Sequence, residues 1–254
     1  MKPGLVSVTF RQLNPQSIVD LCVETCLQTI EWGGDVHVPP GDVSRAAEVG
    51  ELTRAAGLSV AAYGSYYRLA SGEGPDFESV LAAAEALGAP AIRVWAGRKG
   101  SAATDTAGRN AVAADALRCA DLAGSKGITL CYEFHDNTLT DTTESALSLL
   151  SETEHPFIRS LWQPPHGQPL ETCLSSLRAI MPRLHHVHVF HWWPDPKTRR
   201  ALADGRERWQ AYVDELHAAS KSPDLLLEFV RNDDPLLLAE DAGTLVSLLK
   251  NEGK

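Results

Sequence analysis

Short apolar runs and longer amphipathic stretches alternate eight times along these 254 residues. The apolar runs are LVSVTF (5–10), TIEWGG (29–34), LSVAAYG (58–64), AIRVWAG (91–97), ITLCYEF (128–134), FIRSLW (157–162), LHHVHVF (184–190) and DLLLEFV (224–230). Runs of this length, rich in branched side chains and with little polar alternation, read as strands buried on both faces. After them come helix patterns: NPQSIVDLCVETC with Pro15 near its start, DVSRAAEVGELTRAAG closed by Gly57, DFESVLAAAEALG closed by Gly88, and the long TAGRNAVAADALRCADLAGSKG. The second half adds TTESALSLLS, LETCLSSLRAIM, GRERWQAYVDELHAA and PLLLAEDAGTLVSLLK. Proline suits a first helical turn, where its missing N–H has no partner to lose, and glycine takes the left-handed residue that ends a helix.

Repeated strand–helix units make the strands parallel, and eight of them at a spacing of roughly 30 residues close into a (β/α)8 barrel. An open doubly wound sheet is the competing arrangement. It seldom needs eight units and usually carries a phosphate-binding glycine fingerprint after its first strand, which this sequence lacks. No linker, charge block or low-complexity tract interrupts the pattern, so residues 1–254 read as a single TIM-barrel domain.

A net charge of −10 argues against a partner gripped through phosphates, so no nucleic acid is expected. The five cysteines form no CxxC pair, and Cys22 and Cys26 fall in a helical apolar pattern as core residues; free thiols fit a reducing compartment. The first residues, MKPGLVSVTF, lack the apolar region of a signal peptide, and no apolar run reaches the ~18 residues of a membrane span. The expectation is a cytoplasmic protein with no membrane partner, for which a homodimer would be unsurprising.

In such a barrel the active site lies at the C-terminal ends of the strands. Those ends carry Glu31 and Trp32; Tyr63 and the aromatic segment YGSYYR; Arg93 and Trp95; Glu133 and His135; Gln163 and His166; His186, His188 and His191; and Glu228 with Arg231. Four successive strands, five to eight, thus offer Glu133, Gln163, His188 and Glu228 to one side of the barrel mouth. A charge within an apolar strand is costly unless paired or bound to a metal. Oxygen ligands with one imidazole suit Mn²⁺, Mg²⁺ or Co²⁺, with Zn²⁺ less favoured. The plain alternative is an ion pair from either glutamate to Arg93 or Arg231. His188 alternates with Val187 and Val189, so it points into the barrel if the valines face the helices. His186 shares its direction but lies deeper, as a satisfied core residue, and His185 is expected to face outward. Glu31, Tyr63, Trp95, His135, His166 and His191 are candidates for substrate contact. So is Arg199, in the loop WWPDPKTRR after strand seven.

The segments LCYEFHDNTLTDT, LWQPPHG, HHVHVF and LLLEF together resemble the xylose isomerase-like TIM barrels. That superfamily contains sugar isomerases, 3-epimerases, inosose dehydratases and the endonuclease IV group. The resemblance covers essentially the whole chain. It implies a divalent ion held by Glu133, Gln163, His188 and Glu228, and a small sugar, sugar phosphate or cyclitol substrate. The ion would polarise a carbonyl while Glu133 and Glu228 carry a proton on and off the neighbouring carbon through an enediolate. The expected activity is isomerisation or epimerisation, with dehydration by the same chemistry as an alternative. Two positions depart from the pattern. Gln163 stands where the epimerases have an aspartate ligand, so the fourth ligand is neutral and one methylene longer. His191 stands where an aspartate is usual. These departures raise a second class of function, a sugar-binding barrel that has lost its metal. A nuclease of the endonuclease IV kind would need three zinc ions and more histidine and aspartate ligands than strands three, four and seven supply.

Overall fold

The computed structural model describes residues 1–250. Eight strands, β1 (Pro3–Val6), β2 (Thr29–Gly33), β3 (Ser59–Arg68), β4 (Ala91–Trp95), β5 (Thr129–Tyr132), β6 (Ile158–Trp162), β7 (Leu184–Val189) and β8 (Asp224–Leu227), pair in parallel in chain order. Strand β8 returns to β1, so the sheet closes into a (β/α)8 TIM barrel. Helices α1 (Pro15–Glu24), α2 (Val43–Ala55), α3 (Phe77–Leu87), α4 (Thr106–Gly124), α5 (Thr143–Glu152), α6 (Leu170–Ile180), α7 (Arg206–Ala218) and α8 (Leu238–Lys250) follow the strands in turn. Asn14, Asp42, Asp76, Asp105 and Thr142 cap α1 to α5 by accepting a first-turn N–H, which satisfies a donor that no helical carbonyl can reach. No helix among the described residues is long and apolar enough to cross a membrane.

Strand alternation sorts the side chains into two layers. Outward residues such as Leu5, Ile30, Ile92, Leu130, Val187, Val189 and Leu227 join the large core against the helices. Trp32 and Trp162 belong there too, each donating its indole N–H to a helix hydroxyl, Thr53 and Ser176. Inward apolar residues are fewer and smaller: Val6, Val8, Ala61 and Leu226 form one cluster, and Ala62, Ala91 and Cys131 another.

Several boundaries differ from the sequence reading. The first strand stops at Val6, and Ser7–Phe10 is a 3₁₀ turn. There the Ser7 hydroxyl accepts the Gly33 N–H and meets His37 Nδ1, so a polar anchor ends the strand. Strand β3 runs on to Arg68, which makes YGSYYR strand rather than loop. Cys26 is exposed in the left-handed turn beyond α1, so it is not a core residue, whereas Cys22 is buried. His185 does not follow simple alternation, because β6 and β7 change register between Ser160 and Trp162.

Candidate metal centre and active site

A fully buried carboxylate, Glu31 on β2, organises the barrel axis. Its Oε1 accepts from Arg93 Nε at 2.8 Å, and its Oε2 accepts from His186 Nε2 at 3.1 Å and His188 Nε2 at 3.0 Å. Burial alone would raise its pKa, but the charges of His188 and Arg93 outweigh this and hold it well below the ordinary carboxylate value. Gly64 on β3 makes room for the network, since a Cβ there would meet Glu31 Oε1 at 2.6 Å and Arg93 Nη2 at 2.8 Å. Arg93 reaches past Glu31 to Glu133, and Trp95 donates its indole N–H to the same Glu133 oxygen, Oε2.

The remaining atoms converge above. His188 gives its Nε2 proton to Glu31, because a carboxylate can only accept, and this turns Nδ1 toward the barrel mouth. That Nδ1 lies 3.4 Å from Glu228 Oε2 and 4.0 Å from Glu133 Oε1 and has no hydrogen-bond partner. Burial would lower the pKa of His188, but the charges of Glu228 and Glu31 raise it to about 10. Gln163 donates Nε2 to the Phe134 carbonyl at 2.9 Å, and its Oε1 is buried without a partner. Glu133, His188 and Glu228 can each offer one ligand atom to a common point. An unpartnered buried oxygen, Gln163 Oε1, and an imidazole nitrogen held between two carboxylates fit a divalent cation that would displace the Nδ1 proton, and the Glu31–His188 bond is the carboxylate–imidazole support that metal-bound histidines use.

A cavity of about 330 Å³ opens over these atoms, lined among others by Arg11, Tyr66, Trp95, His135, His166 and Phe229. His135 hydrogen-bonds the Asp136 carbonyl through Nδ1 at 2.7 Å. A carbonyl cannot donate, so Nδ1 carries the proton and Nε2 keeps a basic lone pair. His166 stacks flat on Trp192 with ring centroids 5.2 Å apart, and burial holds its pKa below the ordinary value.

The structure therefore brings Glu133, Gln163, His188, Glu228, His135, His166 and Trp95 together. Four other expected residues lie elsewhere. Glu31 sits beneath the cavity with both oxygens engaged. Tyr63 faces the helix layer and donates to the Val38 carbonyl at 2.7 Å. His191 packs against Gly205 in a separate small recess beside Trp193 and Arg208. Arg199 pairs with Asp233 and lies over the Phe229 ring, 4.6 Å from its centroid. Sequence alone points to no role for Arg11 or Phe229. Arg11 follows the 3₁₀ turn Ser7–Phe10, whose apolar pattern is that of a strand. Phe229 adopts φ 53°, a conformation rare for non-glycine residues, immediately after Glu228.

The profile of the xylose isomerase-like TIM barrels matches residues 19–248. The chain belongs to that family. Within it, a 126-residue stretch is 29% identical to the 3-dehydroshikimate dehydratase of Bacillus anthracis, covering 44% of this chain and 43% of that protein. The chain thus aligns with less than half of that relative's length. The structure resembles the probable 3-DHS dehydratase involved in petrobactin synthesis from Bacillus anthracis, with TM-score 0.80, 19% identity, and 97% and 99% of the two chains covered. It also resembles the D-psicose 3-epimerase of Clostridium cellulolyticum H10, with TM-score 0.75, 15% identity and 98% of each chain. A third neighbour is the 3-keto-D-glucoside 4-epimerase of E. coli, with TM-score 0.74, 17% identity, and 98% and 99% coverage. At these identities the superpositions speak for the fold. Epimerases and a dehydratase share it, and the expected isomerase or epimerase activity fits the family no better than dehydration does.

Proposed function

We propose that this chain is a divalent-metal enzyme that removes a proton from the carbon beside a carbonyl of a small polyhydroxylated substrate, a sugar or cyclitol. The observation that carries this reading is the convergence of Gln163 Oε1, a buried oxygen without a partner, and His188 Nδ1, a buried nitrogen without a hydrogen bond, with Glu133 and Glu228 at the cavity floor. These four residues would hold the ion, which when bound supplies Lewis-acid polarisation of the carbonyl. Arg93 and Trp95 fix Glu133 through Oε2, leaving Oε1 free to face the cavity. In the isomerase or epimerase form of the reading, Glu133 and Glu228 carry the proton off and back.

A second form, dehydration, has its own support. The Nε2 of His135 is a base not engaged by any carboxylate, and the partial match is to a 3-dehydroshikimate dehydratase. Here His135 takes the proton and a hydroxyl leaves from the next carbon, with no proton returned to the first.

The two forms separate in deuterated water. Protein supplied with Mn²⁺ is incubated with ketohexoses and, separately, with 3-dehydroshikimate. Epimerisation places deuterium on carbon in the recovered sugar; dehydration of 3-dehydroshikimate yields an ultraviolet-absorbing aromatic acid. Glu228→Gln is expected to abolish either activity. His135→Asn is expected to lower dehydration by roughly 10²–10⁴-fold, the usual worth of a general base, while sparing epimerisation. Turnover that survives both Glu133→Gln and Glu228→Gln contradicts the proposal.

A further inference from the structure

Below Glu31, away from the cavity, the barrel holds a second set of ligand atoms. The Cys131 thiol on β5 and the imidazoles of His185 and His186 at the start of β7 offer one sulfur and two nitrogens, all within 4.8 Å of one another. Neighbouring residues of a regular strand point to opposite faces. His185 and His186 meet because Ser160 pairs with Leu184 while Trp162 pairs with Val187, so three steps along β7 oppose two along β6. Such a bulge re-aims a side chain that alternation would send outward. The two Nδ1 atoms lie 2.8 Å apart.

Glu31 decides their protonation. His186 Nε2 donates to Glu31 Oε2, so in the neutral ring Nδ1 carries the lone pair and the His185 Nδ1–H bridges the two rings. The same Glu31 oxygen accepts from His188. One buried carboxylate thus takes the Nε2–H of both imidazoles. His188 presents Nδ1 upward to Glu133 and Glu228, and His186 presents Nδ1 to His185 and Cys131.

We infer that Cys131, His185 and His186 form a second metal site, one that takes Zn²⁺ through a thiolate and two imidazole nitrogens. Sulfur with two imidazoles suits zinc and disfavours Mg²⁺ or Mn²⁺. Zinc bonds of ~2.1 Å to nitrogen and ~2.3 Å to sulfur separate the ligand atoms by roughly 3.3–3.6 Å, a small adjustment from the arrangement present. On binding, Cys131 releases its proton to solvent and His185 moves its own from Nδ1 to Nε2, and the ion takes the place of the bridging proton. Asp224 neighbours His186 across β7 and β8 and offsets part of the added positive charge, while the Arg159 guanidinium, next to Cys131 across β5 and β6, favours the thiolate. His185 is only half-buried, at the end of the barrel opposite the substrate cavity. Water fills the fourth position.

The test is a Co²⁺ titration of the chelator-stripped full chain, followed by Zn²⁺ stoichiometry. A thiolate-to-Co²⁺ charge-transfer band in the near ultraviolet is expected in the wild type. It persists in Glu228→Ala, which disables the upper site, and disappears in Cys131→Ser with the loss of about one Zn²⁺ per chain. His185→Gln, at a less buried position, keeps the fold intact by circular dichroism and weakens Zn²⁺ binding at least tenfold, on the order of a lost ligand. A wild type without the band at saturating Co²⁺, or a band that survives in Cys131→Ser, overturns the assignment.

Discussion

Glu31 decides the protonation of the site because it is wholly buried, and Arg93, His186 and His188 compensate its charge. Removing one partner of such a network leaves the others charged and dry, which costs more than the intact network contributes. Glu31→Gln is therefore expected to destabilise the protein by about 3–5 kcal/mol in chemical denaturation, more than any single change at the exposed rim. A loss below about 1 kcal/mol would show that water reaches Glu31. His188 makes a second prediction. Its pKa is raised from 6.5 to about 10, so in the metal-free protein its contribution to stability is complete below 6.5 and fades as pH rises through 10. A metal ligand must give up that proton, so ion binding near neutral pH should release about one proton per ion. Calorimetry in buffers of different ionisation heat measures this, and no difference between buffers would contradict the assignment of Nδ1 as a ligand. Sequence exposed Glu133, His188 and Glu228 because charges stand out in apolar strands. It exposed Glu31 equally well, yet not its task. That task depends on β7 facing β2 across the barrel interior, three strands round, which no local pattern encodes.

The strands differ in how much of their course is written locally. Their apolar runs were legible, as were the closing glycines Gly57 and Gly88 of the helices between them and the inward direction of His186 and His188. Their ends were not, because tertiary hydrogen bonds set them: Ser7 stops β1 by bonding across to Gly33 and His37. The register change that turns His185 inward is equally invisible, since a bulge belongs to a pair of strands rather than to one. Strand β3 shows the same dependence at Gly64, where backbone must pass close under Glu31 and Arg93. Gly64→Ala is expected to cost about 1–3 kcal/mol, as overpacking does, and to displace Arg93 from Glu133. Combined with Glu31→Gln it should cost less than the sum of the two, because both act on one network. Strict additivity would mean that the glycine matters only for the strand.

At the level of the whole molecule, the eightfold alternation leads to a closed barrel, and the closed barrel explains why residues from β2, β4, β5, β6, β7 and β8 meet at one end. Trp32, Trp162 and Tyr63 point the other way for the same reason, since every second residue of a barrel strand faces the helices. Their composition alone could not place them, and only parity separates them from Trp95. The barrel mouth then joins a charge-compensated floor to an aromatic wall, and the chemistry rests on whether Gln163 completes a working cation site with Glu133, His188 and Glu228. Equilibrium dialysis of the chelator-stripped chain against Mn²⁺ tests this most directly, because a hard cation avoids the thiolate-containing site below. About one Mn²⁺ bound per chain in the wild type, and none in Glu228→Ala, is the predicted result. No Mn²⁺ bound by the wild type up to millimolar concentration, or equal binding by Glu228→Ala, would contradict it.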